Sequence, residues 1–399
     1  MRIAVFHNLP TGGAKRVLHG FVSHLTESGH SVDVFVPSTA REDFLPLKGV
    51  GAKVTVFPVP RTLSGSLYSF LRYIPPTEIS LRDLEWVQKD IAETINKGQY
   101  EVVLCEQDRW TMSPFFLKFV TKPTVYFCQQ PSRFNEEVLR NVSRKAGYKD
   151  NLSPLRRRIR RQFAKRLPRI DKENASHAKY VLVNSNFSRE SVLRSYGLNS
   201  YVSYLGVDTY LFKPSGVPRE SFVLSVGECA PKKGFDFIIR SLALMDSKIR
   251  PKLVLVCNSF DPGWKDYLEQ LAKKVDVNLE IKALVKDDEI VSLYQKACLV
   301  LFAPYLEPFG LVPLEAMACG TPVVAVREGG VRESVVHNET GILTERDERM
   351  FSEAVSGLLA DARRRDAMGR KAIDVVRGFW TLDHAAQRLL NHLERAKKV

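Results

Sequence analysis

The chain lacks the segments that would place it across a membrane or direct it to secretion. Its 399 residues contain no run of about 18 apolar residues, the length that a membrane-spanning helix needs. It begins with a short strand-like stretch, Met1-Arg-Ile-Ala-Val-Phe6, in which no charged segment precedes a longer apolar one. From these two absences we expect a cytoplasmic protein.

Motifs for metals, disulfides, nucleoside triphosphates and nucleic acids are also missing. The six cysteines are scattered through apolar segments without a C-x-x-C pair, so we expect them to be reduced core residues. No D-x-D and no His, Asp or Glu set at metal spacing occurs, and we predict a protein that needs no metal or other cofactor. Neither a P-loop nor G-x-G-x-x-G is present. Without an RNP, KH or zinc-finger pattern, a nucleic-acid partner is not predicted.

Positive charge is present in excess, but only in the first half of the chain. The formal net charge is +14. Residues 1–200 hold 31 Lys and Arg against 18 Asp and Glu, whereas residues 201–399 hold 28 against 27. So uneven a distribution predicts an acidic partner for the N-terminal half, such as a lipid surface or a phosphorylated acceptor.

Short apolar runs alternate with helical periodicity along the chain, a pattern typical of parallel α/β sheets. We predict strands at 2–6, 32–36, 102–105, 124–128 and 180–183 in the first half, and at 222–226, 253–257, 279–281, 299–302 and 322–326 in the second. A helix is predicted from about residue 347 onward, and the terminal helix from about residue 380 carries an apolar stripe.

The stretch after the strand at 299–302 offers an anion site. Pro313 suits the first position of a helix, because its missing N–H would be unpaired there. The backbone amides of Phe309, Gly310 and Leu311 then precede a helix N-terminus, where free N–H groups and the helix dipole favour a negative charge.

Two carboxylates flank these amides. Glu315, predicted in the first helical turn, can accept hydrogen bonds from a vicinal diol such as that of ribose. Glu307, at the carboxyl edge of the strand, can contact a group attached to the phosphates. The alternative is that Glu307 is merely solvated and Glu315 merely favours the helix dipole.

The segment Glu307-Pro-Phe-Gly-Leu-Val-Pro-Leu-Glu315 resembles the E-x7-E signature of glycosyltransferase family 4, whose members are retaining enzymes with the GT-B fold. The resemblance implies two Rossmann-like domains facing each other across a cleft, with a C-terminal helix that crosses back to the first. The segment Leu205-Gly-Val-Asp208 resembles the family's interdomain linker, so we place the hinge at 205–218. The predicted domains are 1–205 for the acceptor, 206–380 for the nucleotide sugar, and 381–399 for the returning helix.

The segment Val226–Gly234 resembles the family's G-R-x-x-x-x-K-G, whose Arg and Lys hold the donor diphosphate. Lys233 matches the Lys, and the resemblance implies that Lys233 and Glu307 are the catalytic residues. Glu228 stands where the Arg is usual and should repel a diphosphate unless another cation moves in. The candidate replacement cations are Lys232, Arg133 and Arg327.

Three further features carry the resemblance. Cys128-Gln-Gln-Pro-Ser-Arg133-Phe resembles the C-H-x-P-x-R-Y of mannosyltransferase-like members, which implies a hexose pocket with Gln129 and Arg133. Gln129 replaces a His, so it can bond a sugar hydroxyl but cannot take a proton at neutral pH. Gly12 and Gly13 lie at the first strand–helix turn; a tight turn alone explains them, but the resemblance implies contact with the donor phosphate. Gly329-Gly330 resembles a G-G pair implied to shape the pocket floor.

A basic amphipathic helix is predicted at 153–167, ending at Pro168. Its apolar residues recur every four positions. A helix of this kind can lie on an anionic membrane, so we predict peripheral attachment to a cytoplasmic membrane face. A solvated helix packed by its apolar stripe and an RNA-binding helix are the alternatives. The basic residues predicted to face the membrane are Arg157, Arg158, Arg160 and Arg161.

The resemblance implies metal-independent transfer of a hexose, with mannose favoured, from a nucleotide-diphosphate sugar to a hydroxyl of a glycan or lipid-linked acceptor. The anomeric configuration would be retained. Another GT-B activity, such as that of an epimerase or a phosphorylase, would need a different set of residues. A catalytically weak or inactive protein of this fold that binds carbohydrate or membrane is the alternative that Glu228 and Gln129 favour.

Overall fold

The computed structural model describes residues 1–60, 80–132, 142, 166–261 and 263–398. The chain divides into two compact units. The first contains the described residues of Met1–Asn135 and Asp150–Tyr204, together with the chain from Ala385 onward. The second is built on Leu205–His384.

A seven-stranded parallel sheet forms the centre of the first unit, in the order β3-β2-β1-β4-β5-β6-β7. After Arg2, the strand β1 is buried along its whole length, as expected where helices cover both faces of a parallel sheet. The strands are β1 (Arg2–Asn8), β2 (Ser31–Pro37), β3 (Lys53–Phe57), β4 (Val102–Asp108), β5 (Thr124–Cys128), β6 (Tyr180–Val183) and β7 (Tyr201–Val202). The helices of this part are α1 (Gly13–Glu27), α2 (Leu81–Lys97) and α3 (Asn186–Tyr196), and residues 166–176 are also helical.

The second unit repeats this arrangement with a six-stranded parallel sheet in the order β10-β9-β8-β11-β12-β13. Its strands are β8 (Glu220–Val226), β9 (Lys252–Cys257), β10 (Leu279–Ala283), β11 (Ala297–Phe302), β12 (Val323–Val326) and β13 (Gly341–Thr344). Its helices are α4 (Phe235–Ala243), α5 (Trp264–Lys274), α6 (Asp287–Lys296), α7 (Leu311–Ala318), α8 (Val331–Ser334), α9 (Glu348–Ala360) and α10 (Ala362–Phe379).

In both sheets, the order in which successive strands are added changes direction at the first strand. In the first unit the chain runs outward from β1 to β3 and returns at β4, which pairs with the other side of β1. In the second unit β8 lies between β9 and β11 in the same way. The loops that leave the two central strands diverge at such a switch point, and a ligand can enter between them. The parallel α/β class predicted for both halves is confirmed.

The last helix, α11 (Leu382–Ala396), packs on the first unit from Ala385 onward. Leu389 and Leu393 are fully buried, and the hydroxyl of Tyr180 in β6 lies 2.8 Å from Nδ1 of His392. This confirms the predicted return of the terminal helix to the first domain. None of the helices described here is long and apolar enough to span a membrane.

Several predicted elements differ from the structure. The strands β3, β7 and β13 were not predicted, and the helix at 166–176 continues through Pro168, where we predicted its end. Proline has a helical φ, and this helix is anchored by the buried Asp171. The carboxylate of Asp171 accepts from the amide of Ser113 at 2.8 Å and from the hydroxyl of Tyr196 at 2.6 Å.

Part of the predicted basic helix lies outside the described residues. This holds for Arg157, Arg158, Arg160 and Arg161. The long surface loop that the composition of residues 61–80 favours also lies outside them, apart from its last residue. The membrane contact therefore stays a prediction from the sequence.

Candidate functional site

The switch point of the second unit brings two predicted loops together. The loop after β8 carries Glu228, Lys232 and Lys233, and the loop after β11 carries Glu307. The amide of Tyr305 donates to the carbonyl of Lys232 at 2.9 Å and joins the two loops. Because β8 and β11 are neighbours, residues more than 70 positions apart in the chain meet at one sheet edge.

Lys233 and Glu307, the two predicted catalytic residues, form an ion pair here. Nζ of Lys233 lies 2.8 Å from Oε2 of Glu307, and their side chains are 19% and 25% exposed. Because these two side chains are mostly shielded from water, the electric field around their charges is screened less than at the protein surface. Their remaining exposure leaves the pair accessible to a ligand. The structure thus places a cation and a carboxylate together at the edge where ligands bind in parallel sheets.

The loop that carries Glu307 rests on Gly329 and Gly330. The amide of Gly330 donates to the carbonyl of Glu307 at 2.8 Å. A Cβ on Gly329 would overlap the backbone of Glu307, and one on Gly330 would overlap the carbonyl oxygen of Pro308. Leu306, just before Glu307, has a φ of +50°, which a bulky residue rarely adopts. The Gly329-Gly330 pair therefore supports the loop by close backbone contact.

Arg346 holds the segment that leads to Glu307, although no pattern in the sequence indicated it. Its guanidinium binds both carboxylate oxygens of Glu328, at 2.7 and 2.8 Å, and donates to the carbonyls of Ala303 and Pro304 at 3.0 and 2.8 Å. It also lies 3.7 Å from the ring centroid of Tyr305. A planar, permanently charged fork suits this combination of contacts. No local spacing could have revealed this role, because the partners of Arg346 come from two other loops.

The helix after Glu307 begins earlier than predicted. Helix α7 begins at Leu311, so Pro313 is its third residue and Glu315 its fifth, in the second turn. Proline is tolerated there because the first four helical amides have no partner within the helix. Gly310 caps the helix with a φ of 95°, and no acidic residue lies in the first turn. A simple dipole role for Glu315 is therefore disfavoured.

Among the predicted donor-binding residues, Phe309 faces the interior. Its side chain is 2% exposed and lies 5.8 Å from the ring of Trp380, so only its backbone can face a ligand. Glu315 is half-buried, and its Oε2 accepts a hydrogen bond of 2.6 Å from the hydroxyl of Tyr294 in α6. Sequence reasoning missed Tyr294, which lies 21 residues before Glu315.

Glu228 has a cationic partner in the same loop. Oε2 of Glu228 lies 2.6 Å from Nζ of Lys232. Desolvation disfavours the charged ammonium, but the nearby carboxylates outweigh it and raise the pKa of Lys232. Of the other replacement cations considered, Arg327 is exposed at the end of β12, and Arg133 lies outside the described residues. Lys232 is therefore placed to offset the charge of Glu228.

In the first unit, Gly12 and Gly13 lie at the turn between β1 and α1. Helix α1 begins at Gly13, and Gly12 has a φ of 135°, which requires glycine. A Cβ on Gly12 would meet nothing within 4 Å, so the glycine serves the backbone conformation rather than packing. Both the tight turn and the phosphate contact considered from the sequence are compatible with this geometry.

A buried charge cluster braces this turn. The side chains of His7 and Lys15 are fully buried, and both contact Glu42, with His7 Nε2 at 2.9 Å from Glu42 Oε1. Burial lowers the pKa of His7 to about 4, so the imidazole is neutral at pH 7. Burial alone would raise the pKa of Glu42, but His7 and Lys15 outweigh it and lower that pKa to about 2. The cluster ties the loop after β2 to the first turn of α1.

Gln129, predicted for the acceptor pocket, ends up in a buried network at the end of β5. Nε2 of Gln129 donates to Oε1 of Glu106 at 3.2 Å, and Nδ2 of Asn184 donates to the backbone carbonyl of Gln129 at 2.9 Å. Glu106 is fully buried at the end of β4, and burial raises its pKa to about 8. Gln129 itself carries no titrating proton, but its neighbour Glu106 does at neutral pH. A carboxyl group at the end of an apolar run was the signal for it.

No group of three or more His, Cys, Asp or Glu residues is arranged to hold a metal ion in the part of the chain that the structure describes.

Two family models match the chain. One, described as "Glycosyl transferases group 1", matches residues 208–375, and the other, "Glycosyl transferase 4-like domain", matches residues 12–202. The chain belongs to glycosyltransferase family 4. The two matches correspond to the two compact units, and the match to the first unit begins at the Gly12 turn.

Curated relatives of this family 4 member are similar over part of their length. A D-inositol 3-phosphate glycosyltransferase of Corynebacterium diphtheriae is 30% identical over 242 residues, which cover 55% of this chain and 56% of the relative. One of Stackebrandtia nassauensis is 34% identical over 209 residues, 46% of each chain. The chain thus spans about half the length of the curated relatives it matches.

Solved structures resemble the chain over nearly its full length. Anabaena HepE, in complex with UDP and glucose, has a TM-score of 0.73 and 21% identity, with 99% of each chain covered. WaaG, a glycosyltransferase involved in lipopolysaccharide biosynthesis, has a TM-score of 0.66 and 16% identity, with 98% of this chain and 99% of that one covered. These likenesses show that the family 4 member has the GT-B fold.

Replacing Gly330 by alanine tests the support of the Glu307 loop. Gly330 has a negative φ of −77°, so a methyl group there acts by overlap with Pro308 rather than by backbone strain. We expect Gly330→Ala to destabilise the protein by about 1–3 kcal/mol, measured by denaturant unfolding. The control is Gly357→Ala, in the interior of α9 with nothing near its Cβ, which should stabilise by up to about 1 kcal/mol. Equal effects of the two changes would contradict the proposed support.

Replacing Glu106 by glutamine tests its raised pKa. The folded state keeps the proton up to about pH 8, whereas an unfolded carboxyl loses it near 4.5. The folded state thus binds more protons in this window, and stability falls as the pH rises through it. Glu106→Gln should remove this loss, so its melting temperature should exceed that of the wild type increasingly from about pH 5 to about pH 8. The exposed Glu269→Gln is the control; parallel curves for wild type and Glu106→Gln would refute the raised pKa.

Proposed function

We propose that this family 4 member is a retaining glycosyltransferase. It moves a hexose from a nucleotide-diphosphate sugar to a hydroxyl of a glycan or lipid-linked acceptor. The observation that carries the proposal is the Lys233–Glu307 ion pair at the switch point of the second unit, 2.8 Å apart and directly before the amides that begin α7. The cation and the helix N-terminus suit the diphosphate of a nucleotide sugar, and the carboxylate suits the hydroxyls of its hexose.

The roles of these groups follow from where charge develops. When the bond between sugar and diphosphate breaks, negative charge grows on the leaving phosphate. Lys233 and the amides of Gly310 and Leu311 stabilise that charge, and the dipole of α7 adds to the effect. Glu307 holds hydroxyls of the transferring hexose. Because Lys233 is paired with Glu307 beforehand, both side chains are already ordered when the donor arrives.

Glu315 completes donor binding by accepting hydrogen bonds from the ribose diol. Lys232, which is paired with Glu228, supplies the second positive charge. In the family pattern, an Arg at the place of Glu228 supplies that charge. We propose that no metal ion is required, because the lysines, the amides and the helix dipole together oppose the diphosphate charge.

The comparisons support the donor class. A second HepE structure is a complex with UDP-glucose, and the two curated relatives described above are named D-inositol 3-phosphate glycosyltransferases. For this chain we propose a nucleotide-diphosphate hexose as donor. The preference for mannose rests on the Cys128–Phe134 segment alone. The basic half of the chain favours an anionic acceptor or an acceptor at an anionic membrane face.

Glu307→Ala is the direct test of catalysis. Without this carboxylate the hexose loses its hydrogen-bond partner, so transfer and donor hydrolysis should fall by at least about 100-fold. Affinity for the free nucleotide diphosphate should not fall, because Lys233, released from its ion pair with Glu307, remains in place to bind the diphosphate. Both are measured by release of nucleotide from UDP-, GDP- and ADP-sugars and by calorimetric titration. The exposed Glu269→Ala, in α5, is the matched control. An unchanged rate in Glu307→Ala would exclude Glu307 from the reaction.

Nucleotide release and a thermal-shift screen together distinguish a second candidate function from the first. Glu228 and the buried Gln129, which replace an Arg and a His of the family pattern, favour a protein that binds carbohydrate without catalysis. Such a protein would be stabilised by a sugar or glycan in a thermal-shift screen but would release no nucleotide from any donor. Stabilisation by a nucleotide sugar together with its turnover would exclude it.

Lys232→Ala tests how Glu228 is tolerated. The change leaves the carboxylate of Glu228 uncompensated near the diphosphate, so nucleotide-diphosphate affinity should fall on the order of tenfold. Adding Glu228→Gln to Lys232→Ala removes the repulsion and should recover most of that affinity. Lys248→Ala, an exposed lysine of the same unit, is the control. If the double variant binds as weakly as Lys232→Ala, Lys232 acts by direct contact and not by offsetting Glu228.

A further inference from the structure

Tyr294 brings a buried hydroxyl against the carboxylate of Glu315. Its side chain is fully buried, and the hydroxyl donates to Oε2 of Glu315 at 2.6 Å. Hydrogen bonds from a hydroxyl to an ionised carboxylate are shorter and stronger than those between neutral groups. Glu315 is half-buried on α7, and this bond restricts the rotation of its carboxylate about the last side-chain torsion.

The rest of Tyr294 is held by contacts that do not involve Glu315. The ring of Phe212 packs edge-on against the Tyr294 ring, with centroids 5.8 Å apart. The backbone carbonyl of Tyr294 accepts from Oγ1 of Thr321 at 2.5 Å and from Nη1 of Arg219 at 3.1 Å. The phenol is therefore a fixed support, and Glu315 is the partner whose orientation depends on it.

We propose that Tyr294 is a positioning residue for nucleotide recognition. It turns the carboxylate of Glu315 so that its oxygens face the vicinal diol of the ribose. This inference rests on the proposed function, in which Glu315 binds that diol. A carboxylate accepts about four hydrogen bonds over its two oxygens, so the bond to Tyr294 leaves capacity for two ligand hydroxyls. Tyr294 itself does not contact the nucleotide.

A positioning role and a purely structural role affect different ligands. If Tyr294 only stabilised the fold, its loss would weaken all nucleotides alike. If it orients Glu315, its loss matters only to ligands that use Glu315, because the carboxylate must then be ordered at the moment of binding. Nucleotides with and without the ribose hydroxyls therefore distinguish a positioning role of Tyr294 from a structural one.

The experiment compares Tyr294→Phe with the wild type by calorimetric titration of nucleotides with and without the diol. The probes are UDP, GDP and ADP and their 2′,3′-dideoxy counterparts. The wild type should prefer the ribonucleotide, and Tyr294→Phe should reduce that preference on the order of tenfold, because the carboxylate loses the hydrogen bond that orients it. Affinity for the dideoxy nucleotide should stay the same.

Tyr267→Phe is the matched control. The hydroxyl of Tyr267 accepts from Nη2 of Arg240 at 2.8 Å within the same unit, on the helices α4 and α5. Its removal costs a similar hydrogen bond but should leave the preference for the diol unchanged. Adding Tyr294→Phe to Glu315→Ala should also have no further effect on the preference, because the alanine leaves no acceptor for the hydroxyl of Tyr294.

The outcomes separate the inference from the proposed function. If the wild type binds none of the nucleotides, the proposed function is wrong and this inference falls with it. If the wild type prefers the ribonucleotide and Tyr294→Phe keeps that preference, only the positioning role is refuted. Equal weakening of both nucleotides by Tyr294→Phe would show that Tyr294 is structural. A preference that is lost in Tyr267→Phe as well would refute the role equally.

Discussion

The candidate site depends on the parallel pairing of β8 with β11. This pairing places the end of one strand beside the end of another that follows some 70 residues later in the chain. The loops that leave the two strands carry Lys233 and Glu307, and their backbones are joined through Tyr305. Without this neighbour relation, the cation and the carboxylate would have no reason to meet. The sheet order thus determines the chemistry available at this edge.

Charge at this edge is arranged in pairs rather than as an excess of one sign. Lys233 faces Glu307, Lys232 faces Glu228, and Arg346 binds Glu328 through both oxygens. When no ligand is bound, each of these charges is compensated by a partner of opposite sign. A diphosphate that enters must compete with the carboxylates for the lysines. Because Lys232 offsets the charge of Glu228, this apparent mismatch with the family pattern is compatible with an anion site at the same edge.

The first unit contains a different kind of chemistry. Its edge holds groups with shifted pKa values, in the His7–Lys15–Glu42 cluster and at Glu106 beside Gln129. Burial raises the pKa of Glu106 and lowers that of His7, since it disfavours the charged form of each group. Of the pair Glu106 and Gln129, only Glu106 can exchange a proton near neutral pH.

Local patterns in the sequence were sufficient for the type of most strands and for the parallel α/β class, because an apolar run between turns reads as a buried strand wherever it lies. They were insufficient for three strands: β3 contains no buried residue, β7 has two residues, and β13 has only two large apolar residues. The spacing of Glu307 and Glu315 was visible as well, and it indicated the family. Arg346 and Tyr294 were decided by tertiary structure alone, and so was the contact of Glu106 with Gln129, although the carboxyl group at the end of that apolar run was visible in the sequence. Each acts on a residue that the chain places far away or in a different loop, and only the order of the strands brings such residues into contact.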